Sequence, residues 1–255
     1  MQSCVLDMYK PKCIFNSEDY EWTAREPRFE EHFNKFNINH LKNKNLEFEY
    51  WDNFLPIEEI NKLTEKQRKE LNTAVQNTEE LASQNKATEI DLKTMKQTGK
   101  FDLKYENGLI KLKVDVDNHN FGMETSQQFK LPLKIELRAK TDGKDIRIHY
   151  ANGKIILNWF HIRSTLVISD IIDGSYNLHK RLGEIPVDEL VLIEWFFNKD
   201  IMAVKVNGEI RYTTDDCGYI RALKENPEFN LLSPVTITGA MGSTVTVERL
   251  RIMEL

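Results

Sequence analysis

The C-terminal part of the chain, residues 100–255, is predicted to form an antiparallel β-sandwich, so the fold class is mainly β. Three observations favour this prediction. β-rich runs break at Asn-Gly three times, apolar and polar residues alternate within the runs, and about ten to twelve short strands follow one another. Short strands at this spacing are typical of two packed sheets.

The predicted turns are the clearest of these signals. Asn107-Gly108, Asn152-Gly153 and Asn207-Gly208 each stand between two β-rich runs. Both residue types tolerate a positive φ, so a two-residue type I′ turn forms there with little strain. Asp142-Gly143 and Asp173-Gly174 are weaker signals of the same kind. Each of the three Asn-Gly pairs therefore predicts a β-hairpin.

The alternation within the strands predicts which side chains face the core. Successive side chains of a strand point to opposite faces, so the apolar set is expected to face inward. Trp159 and Trp195 stand among aliphatic neighbours and are expected in the core as well. The apolar set is Leu133, Ile135, Leu137, Ala139, Ile146, Ile148 and Tyr150, and it alternates with Lys134, Glu136, Arg138, Arg147 and His149.

Residues 1–98 are predicted to form a separate aromatic-rich and α-helical N-terminal region. A capping box at 64–67 opens a heptad-like pattern that predicts a long helix over about 64–97, ended by Gly99. Three of the eight seam positions are polar, which favours a helix lying on this sandwich or a neighbour's over a strong coiled coil. A homo-oligomer formed through the 64–97 helix stays open.

Composition excludes several classes of function. The 255 residues are 40% hydrophobic and 29% charged with a net charge of −5, and neither part of the chain is basic. No nucleic-acid partner is therefore predicted. No stretch approaches the roughly 18 apolar residues of a membrane span, and no signal peptide or membrane contact is expected. Cys4, Cys13 and Cys217 are odd in number and far apart, which favours a reducing cytoplasm.

The last 65 residues carry a resemblance to a known superfamily. A strand with Trp195 is followed by a strand ending in Val206-Asn207-Gly208 and by a closing strand with Leu250-Arg251-Ile252. This order resembles the jelly rolls of the concanavalin A-like lectin/glucanase superfamily, and the laminin G-like members are closest in pattern. The resemblance implies two curved sheets whose concave face or edge loops often bind sugars.

The same resemblance argues against catalysis. Hydrolases of this superfamily carry Glu-x-Asp-x-x-Glu on one strand, and the sequence contains no such run. Glycoside hydrolysis uses a pair of carboxyl groups, whereas Glu194 is the only acid inside its strand. We therefore expect binding without turnover. A hydrolase stays possible only if acids from different strands meet.

The polar side of the central strands is the predicted binding face. Sugar recognition combines charged or amide groups with an aromatic ring, and both kinds occur here. The alternative is a solvated face with cross-strand ion pairs such as Glu136–Arg147. The candidate ligand-binding residues, expected to converge on one concave sheet, are Glu136, Arg138, Arg147, His149, Asn158, Phe160, His161 and Glu194.

No cofactor is predicted. Asp115 and Asp117 offer oxygen ligands for calcium, but the segment lacks the glycine of an EF-hand loop, so a strand-end turn is favoured. The sequence thus predicts a lectin-like sandwich that binds a carbohydrate or related polar ligand in an intracellular sensing or accessory protein. An interaction or assembly module that uses the N-terminal helix is the main alternative.

Overall fold

A computed structural model of the chain describes residues 65–115, 121–159, 161–179 and 181–255, all within the compact unit Asn61–Leu255. In this part of the chain, two antiparallel sheets enclose one apolar core, and a helix precedes them. The predicted mainly β antiparallel sandwich is therefore confirmed. The predicted aromatic segment before residue 65 lies outside the described residues.

The helix that the sequence predicts over 64–97 is too long. Ile90, Leu92 and Met95 are buried in the core of the sandwich, so tertiary packing overrides the heptad-like pattern after residue 84. Gly99 lies beyond these elements and does not end a helix. Four elements occupy the range: α1 (Glu65–Gln84), β1 (Thr88–Glu89), a 3₁₀ turn (Leu92–Thr94) and β2 (Lys96–Gln97).

The larger sheet has eight strands among the described residues. Its order is β14-β13-β12-β7-β17-β4-β3, and β1 pairs with the last part of β17. β7 lies between β12 and β17, so it is the central strand of this sheet. Besides β1, the strands are β3 (Asp102–Glu106), β4 (Leu109–Lys113), β7 (Leu133–Thr141), β12 (Val191–Phe197), β13 (Met202–Val206), β14 (Glu209–Thr214) and β17 (Thr244–Glu254).

The smaller sheet has seven described strands in the order β11-β10-β9-β8-β16-β5-β2. Besides β2, they are β5 (Gly122–Glu124), β8 (Ile146–Tyr150), β9 (Gly153–Leu157), β10 (Leu166–Ser169), β11 (Tyr176–His179) and β16 (Val235–Thr238). Two short strands, β6 (Phe129–Lys130) and β15 (Leu232–Ser233), pair with each other. A second helix, α2 (Gly218–Glu225), coincides with the helix that the sequence predicts around Tyr219–Asn226, before Pro227.

The core contains the apolar residues that alternate with polar ones along β7 and β8. The predicted inward residues of β7 and β8 are all buried, and so are Trp159 and Trp195. Each buried apolar side chain stabilises the fold by roughly 25 cal/mol for each Å² removed from water. The inward-facing prediction is therefore confirmed for both strands.

Two of the three Asn-Gly turns form as predicted. Asn107-Gly108 has φ values of 52° and 79°, and Asn207-Gly208 has values of 50° and 82°. In both turns Asn and Gly are left-handed, as a type I′ turn requires. The structure thus confirms the first and the last hairpin at their predicted positions.

The middle hairpin turns one residue earlier than predicted. Its turn residues are Ala151 and Asn152, and Gly153 is already paired with Tyr150 as the first residue of β9. A Cβ atom on Gly153 would lie 2.7 Å from the carbonyl oxygen of Ser169 on β10. This glycine is therefore required for the close approach of two strands, not for the turn.

Helix α1 packs on the outer face of the larger sheet. Val75 is buried against Phe196, Ile201 and Ala203. Glu79 forms an ion pair with Lys205, which adds a polar contact between the helix and the sheet. Of the two alternatives for this helix, the structure shows the one in which it lies on its own sandwich. The homo-oligomer stays a prediction.

The described residues contain no helix that is both long and apolar enough to cross a membrane.

Substitution of Val75 tests the packing of α1. We expect Val75→Ala to lower the free energy of unfolding by about 1–2 kcal/mol, because it removes buried methyl groups and leaves a cavity. Gln76→Ala is the matched control, since Gln76 is exposed on the same turn of helix. Urea denaturation measures both values. Equal unfolding free energies for the two variants would contradict the packing of α1 on the sheet.

Candidate functional site

The structure divides the predicted ligand-binding residues between the two sheets. Glu136, Arg138 and Glu194 lie on the outer face of the larger sheet, and Arg147 and His149 lie on the outer face of the smaller one. The core separates these two faces, so one ligand does not contact both groups. The expected convergence on one sheet is therefore wrong. Whether individual residues bind a ligand stays a prediction.

Asn158 is buried and bonds to the protein backbone. It follows β9 with a φ of 49° and is fully buried. Its side-chain Nδ2 donates to the carbonyl oxygen of Ile185 at 3.1 Å, and its Oδ1 accepts from the Ile185 N–H at 2.9 Å. These bonds hold a neighbouring loop, which contradicts the prediction that Asn158 faces away from the packed layer. His161 packs edge-on against Trp159 at 4.8 Å between ring centroids, and Phe160 lies outside the described residues.

Opposite charges alternate across the outer face of the larger sheet. Lys134 Nζ lies 3.0 Å from Glu136 Oε1 and 2.6 Å from Glu194 Oε1. Arg251 Nη1 lies 3.2 Å from Glu136 Oε2, and Lys205 Nζ lies 4.0 Å from Glu194 Oε2. We call these five side chains, which span β13, β12, β7 and β17, the charge ladder.

Burial makes the pairing within the charge ladder necessary. The side chains of Lys134 and Glu194 are only 9% and 7% exposed, and an unpaired charge so deeply buried would be strongly destabilising. Burial lowers the pKa of Lys134, but the hydrogen bonds that its ammonium group donates to Glu194 and Glu136 outweigh this effect and raise the pKa overall. The Lys134 ammonium therefore stays charged and engages both carboxylates.

The charge ladder also corrects a predicted ion pair. Glu136 pairs with Lys134 and Arg251, not with Arg147, because these residues share a sheet with it. Arg138 pairs with Glu248 of β17. Acids from different strands do meet here, since Glu136 and Glu194 are directly opposite in register. However, Lys134 occupies the space between them and both are largely buried, so this pair does not face an open site.

The outer face of the smaller sheet carries a continuous row of polar side chains. One residue comes from each of the seven strands, and each is the register partner of the next. Neighbouring strands lie about 4.8 Å apart, so the row extends over roughly 29 Å. In order from β2 to β11, this polar row consists of Lys96, Glu124, Thr236, His149, Lys154, Ser169 and Tyr176.

His149 is at the centre of the polar row. Its Nε2 lies 3.1 Å from the Thr238 hydroxyl. Burial, followed by the positive charges of Lys154 and Arg147, lowers the pKa of His149 to about 3. The imidazole is therefore neutral at neutral pH, with one ring nitrogen that donates and one that accepts.

The β11 end of the polar row combines a cation with an aromatic ring. Lys154 Nζ lies 4.9 Å from the ring centroid of Tyr176, a cation–π contact that spans the position of Ser169. The Tyr176 ring is 44% exposed. This end of the row therefore presents an ammonium group, a phenol hydroxyl and an aromatic surface together.

A buried ion pair lies next to the polar row. Arg147 is 5% exposed and its Nε donates to Asp145 Oδ2 at 2.9 Å. The Asp145 carboxylate is completely buried, so the guanidinium neutralises it. Arg147 thus supports the sheet face beside His149, and its charge is compensated within the protein.

The described residues contain no group of three or more His, Cys, Asp or Glu side chains arranged to hold a metal ion. Asp115 is exposed just after β4, while Asp117 lies outside the described residues. The calcium site considered for this segment therefore stays untested.

Sequence reasoning found only His149 of the polar row. Five of the other six residues lie on strands that are more distant along the chain, and only the register of the sheet brings them together. The sequence also contains a signal for Lys154. The hairpin between β8 and β9 places Lys154 opposite His149, which follows once the turn is known.

No family model matches the chain, and no curated protein matches it in sequence. Several solved structures are similar in fold. A prokaryotic beta-1,3-1,4-glucanase (lichenase) from a mouse hindgut metagenome is 10% identical with a TM-score of 0.47, covering 67% of this chain and 99% of that one. A carbohydrate-binding module from Bacillus subtilis is 5% identical with a TM-score of 0.44, covering 64% and 98%.

A transglycosylase is also similar, at 10% identity and a TM-score of 0.47, covering 66% of this chain and 83% of that one. All three similarities combine an identity of 10% or less with a TM-score below 0.5. Similarities this low do not show what activity this chain has.

The lowered pKa of His149 predicts a pH dependence of stability. Between pH 6.5 and about 3 the unfolded chain binds a proton at this residue that the folded chain does not bind. The free energy of unfolding should therefore fall as the pH falls through this window. In His149→Gln this decrease should be smaller, as measured by urea denaturation at a series of pH values.

His179 provides a matched comparison, because burial lowers its pKa to about 4. His179→Gln should also flatten the profile, but only within the window between pH 6.5 and about 4. A His149→Gln profile parallel to that of the unmodified protein would contradict the buried, neutral state of His149.

Proposed function

We propose that the sandwich binds an extended carbohydrate along the polar row of the smaller sheet, without converting it chemically. One observation carries this proposal: seven adjacent strands each contribute one polar side chain to a single register row, and all of these side chains except the buried Ser169 are at least partly exposed. A chain-shaped ligand that crosses the strands therefore meets a new hydrogen-bonding group at every strand except β10. A row of this length suits an oligosaccharide better than a single small molecule.

The chemistry of the polar row supports the same ligand class. Two ammonium groups, one carboxylate, two aliphatic hydroxyls, an imidazole and a phenol provide both donors and acceptors. Sugar hydroxyls also donate and accept, so they are matched by such a mixture. Two lysines and one glutamate give the row a formal charge of only +1. The exposed Tyr176 ring offers a surface for the apolar side of a sugar ring.

The arrangement of acids favours binding over hydrolysis. Glycoside hydrolysis uses two carboxyl groups on opposite sides of the scissile bond. Glu124 is the one acid in the polar row, and the paired Glu136 and Glu194 are held by Lys134 in the charge ladder. Release of sugar by the unmodified protein that is lost in Glu124→Gln would overturn the non-catalytic proposal.

The helix contacts favour this function over an assembly role. Val75 and Ala82 on α1 are buried, so these apolar residues are not available on the protein surface to contact another chain.

We also propose a cytoplasmic, sensing or accessory protein, since the buried Cys217 thiol is free and the cysteines are odd in number. Cell fractionation tests this location, and recovery of the protein only outside the cytoplasm would overturn it.

Substitutions in the polar row test carbohydrate binding. A glycan array first identifies a bound oligosaccharide, and isothermal titration calorimetry then measures its dissociation constant. We expect Lys154→Ala and Tyr176→Ala each to weaken binding by about tenfold, because each removes a hydrogen-bonding group at the β11 end of the row.

Tyr105→Ala is the matched control, because Tyr105 is 47% exposed but belongs to β3 of the larger sheet. It should leave the dissociation constant unchanged. An array without any bound glycan, or equal weakening by all three substitutions, would contradict binding along the polar row.

A further inference from the structure

A cavity of about 690 Å³ lies apart from the polar row, and none of its lining residues belongs to that row. It is lined by residues of α1, of the loop 198–200 between β12 and β13, of α2 and of the segment 227–230. The Leu131–Pro132 segment that leads into β7 lies in the same wall. All these elements belong to one compact unit, so the cavity is part of the sandwich and its flanking helices.

The inner wall of the cavity is apolar and aromatic. Tyr219 and Leu223 of α2 lie on it together with Phe229. The Tyr219 and Phe229 rings lie 6.3 Å apart between centroids, with an angle of 50° between their planes. The start of α2 is held in place because the Asp170 carboxylate accepts the Gly218 N–H at 2.5 Å. This hydrogen bond therefore fixes the helix that carries Tyr219 and Leu223.

One polar group within this wall is not satisfied by the described residues. Tyr219 is 2% exposed, and its hydroxyl makes no hydrogen bond to any residue that the structure describes. The neighbouring Tyr150 differs, since its hydroxyl donates to the carbonyl oxygen of Phe129 at 2.8 Å. Burial and the nearby Cys217 raise the pKa of Tyr219 to about 12, so it keeps its proton. A hydroxyl that belongs to a lining residue and has no partner among the described residues is available to hydrogen-bond a ligand.

We infer that this cavity binds a small apolar ring compound with one hydrogen-bonding group, which the Tyr219 hydroxyl recognises. The volume lies in the range of about 300–1,000 Å³ that is usual for small-molecule sites. A sugar suits this wall less well, because Leu223 and Phe229 beside Tyr219 offer no hydrogen bond to its hydroxyls. At the rim, Lys130 and Lys199 are balanced by Asp200 and Glu228, so the net charge of the ligand is not selected.

This inference is independent of carbohydrate binding, because the two sites share no residue. The probe is 2-naphthol, whose fused rings match the aromatic wall and whose single hydroxyl pairs with Tyr219. A fluorescence titration with the whole chain should show saturable binding at one site. Tyr219→Phe keeps the ring and removes the hydroxyl, and it should weaken binding roughly fivefold to tenfold.

Leu223→Trp fills the cavity and should abolish saturable binding of 2-naphthol. Leu232→Trp is its control, since Leu232 is 54% exposed and is not a lining residue, and it should bind 2-naphthol normally. Thermal melting shows whether each variant is folded, and Tyr219→Phe decides the question if Leu223→Trp does not fold. Absence of saturable binding to the unmodified protein, unchanged binding by Tyr219→Phe, or full binding by folded Leu223→Trp would overturn the inference.

Discussion

The part of the larger sheet around β12 and β13 is covered on both of its faces, and this constraint governs the rest of the structure. Its inner face packs in the sandwich core, while α1 lies on its outer face through Val75 and Glu79. Polar residues that alternate with core residues would normally be solvated on such a strand. Here Lys134 and Glu194 are removed from water instead, and they are stable only because each finds an opposite charge.

The cover of the larger sheet separates structural charges from charges that are available for binding. The charge ladder satisfies itself across four strands, so its carboxylates support the fold and the contact with α1. The smaller sheet carries its polar groups differently. Lys96 and Tyr176, at the two ends of the polar row, are both exposed, and the neutral imidazole of His149 lies between them. A polar ligand is therefore expected on this sheet, while the apolar cavity beside α2 suits a different chemistry.

Much of the fold was predictable because local rules and global packing agree. Asn and Gly favour the positive φ that the turns at 107–108 and 207–208 require. The apolar residues of β7 all lie on one face of the strand, so only that face can be buried in the core. Where local rules and global packing disagree, the prediction from the sequence is wrong. The heptad-like pattern does not continue as a helix beyond Gln84, because Ile90 and Met95 are buried in the sandwich core. Gly153 does not stand in the predicted turn, and its contact with β10 involves a strand that is distant along the chain.

Local signals along the chain are sufficient for the fold class, the inward faces of β7 and β8, two of the three Asn-Gly hairpins and the second helix. These depend on the period of a strand and on backbone preferences, which act over a few residues. Which sheet each strand joins follows only from the folded arrangement. Sheet membership placed Glu136 and Arg147 on opposite sides of the sandwich, and it aligned His149 with Lys96 and Tyr176 in one row. Strand pairing joins residues far apart along the chain, so no local pattern contains that information.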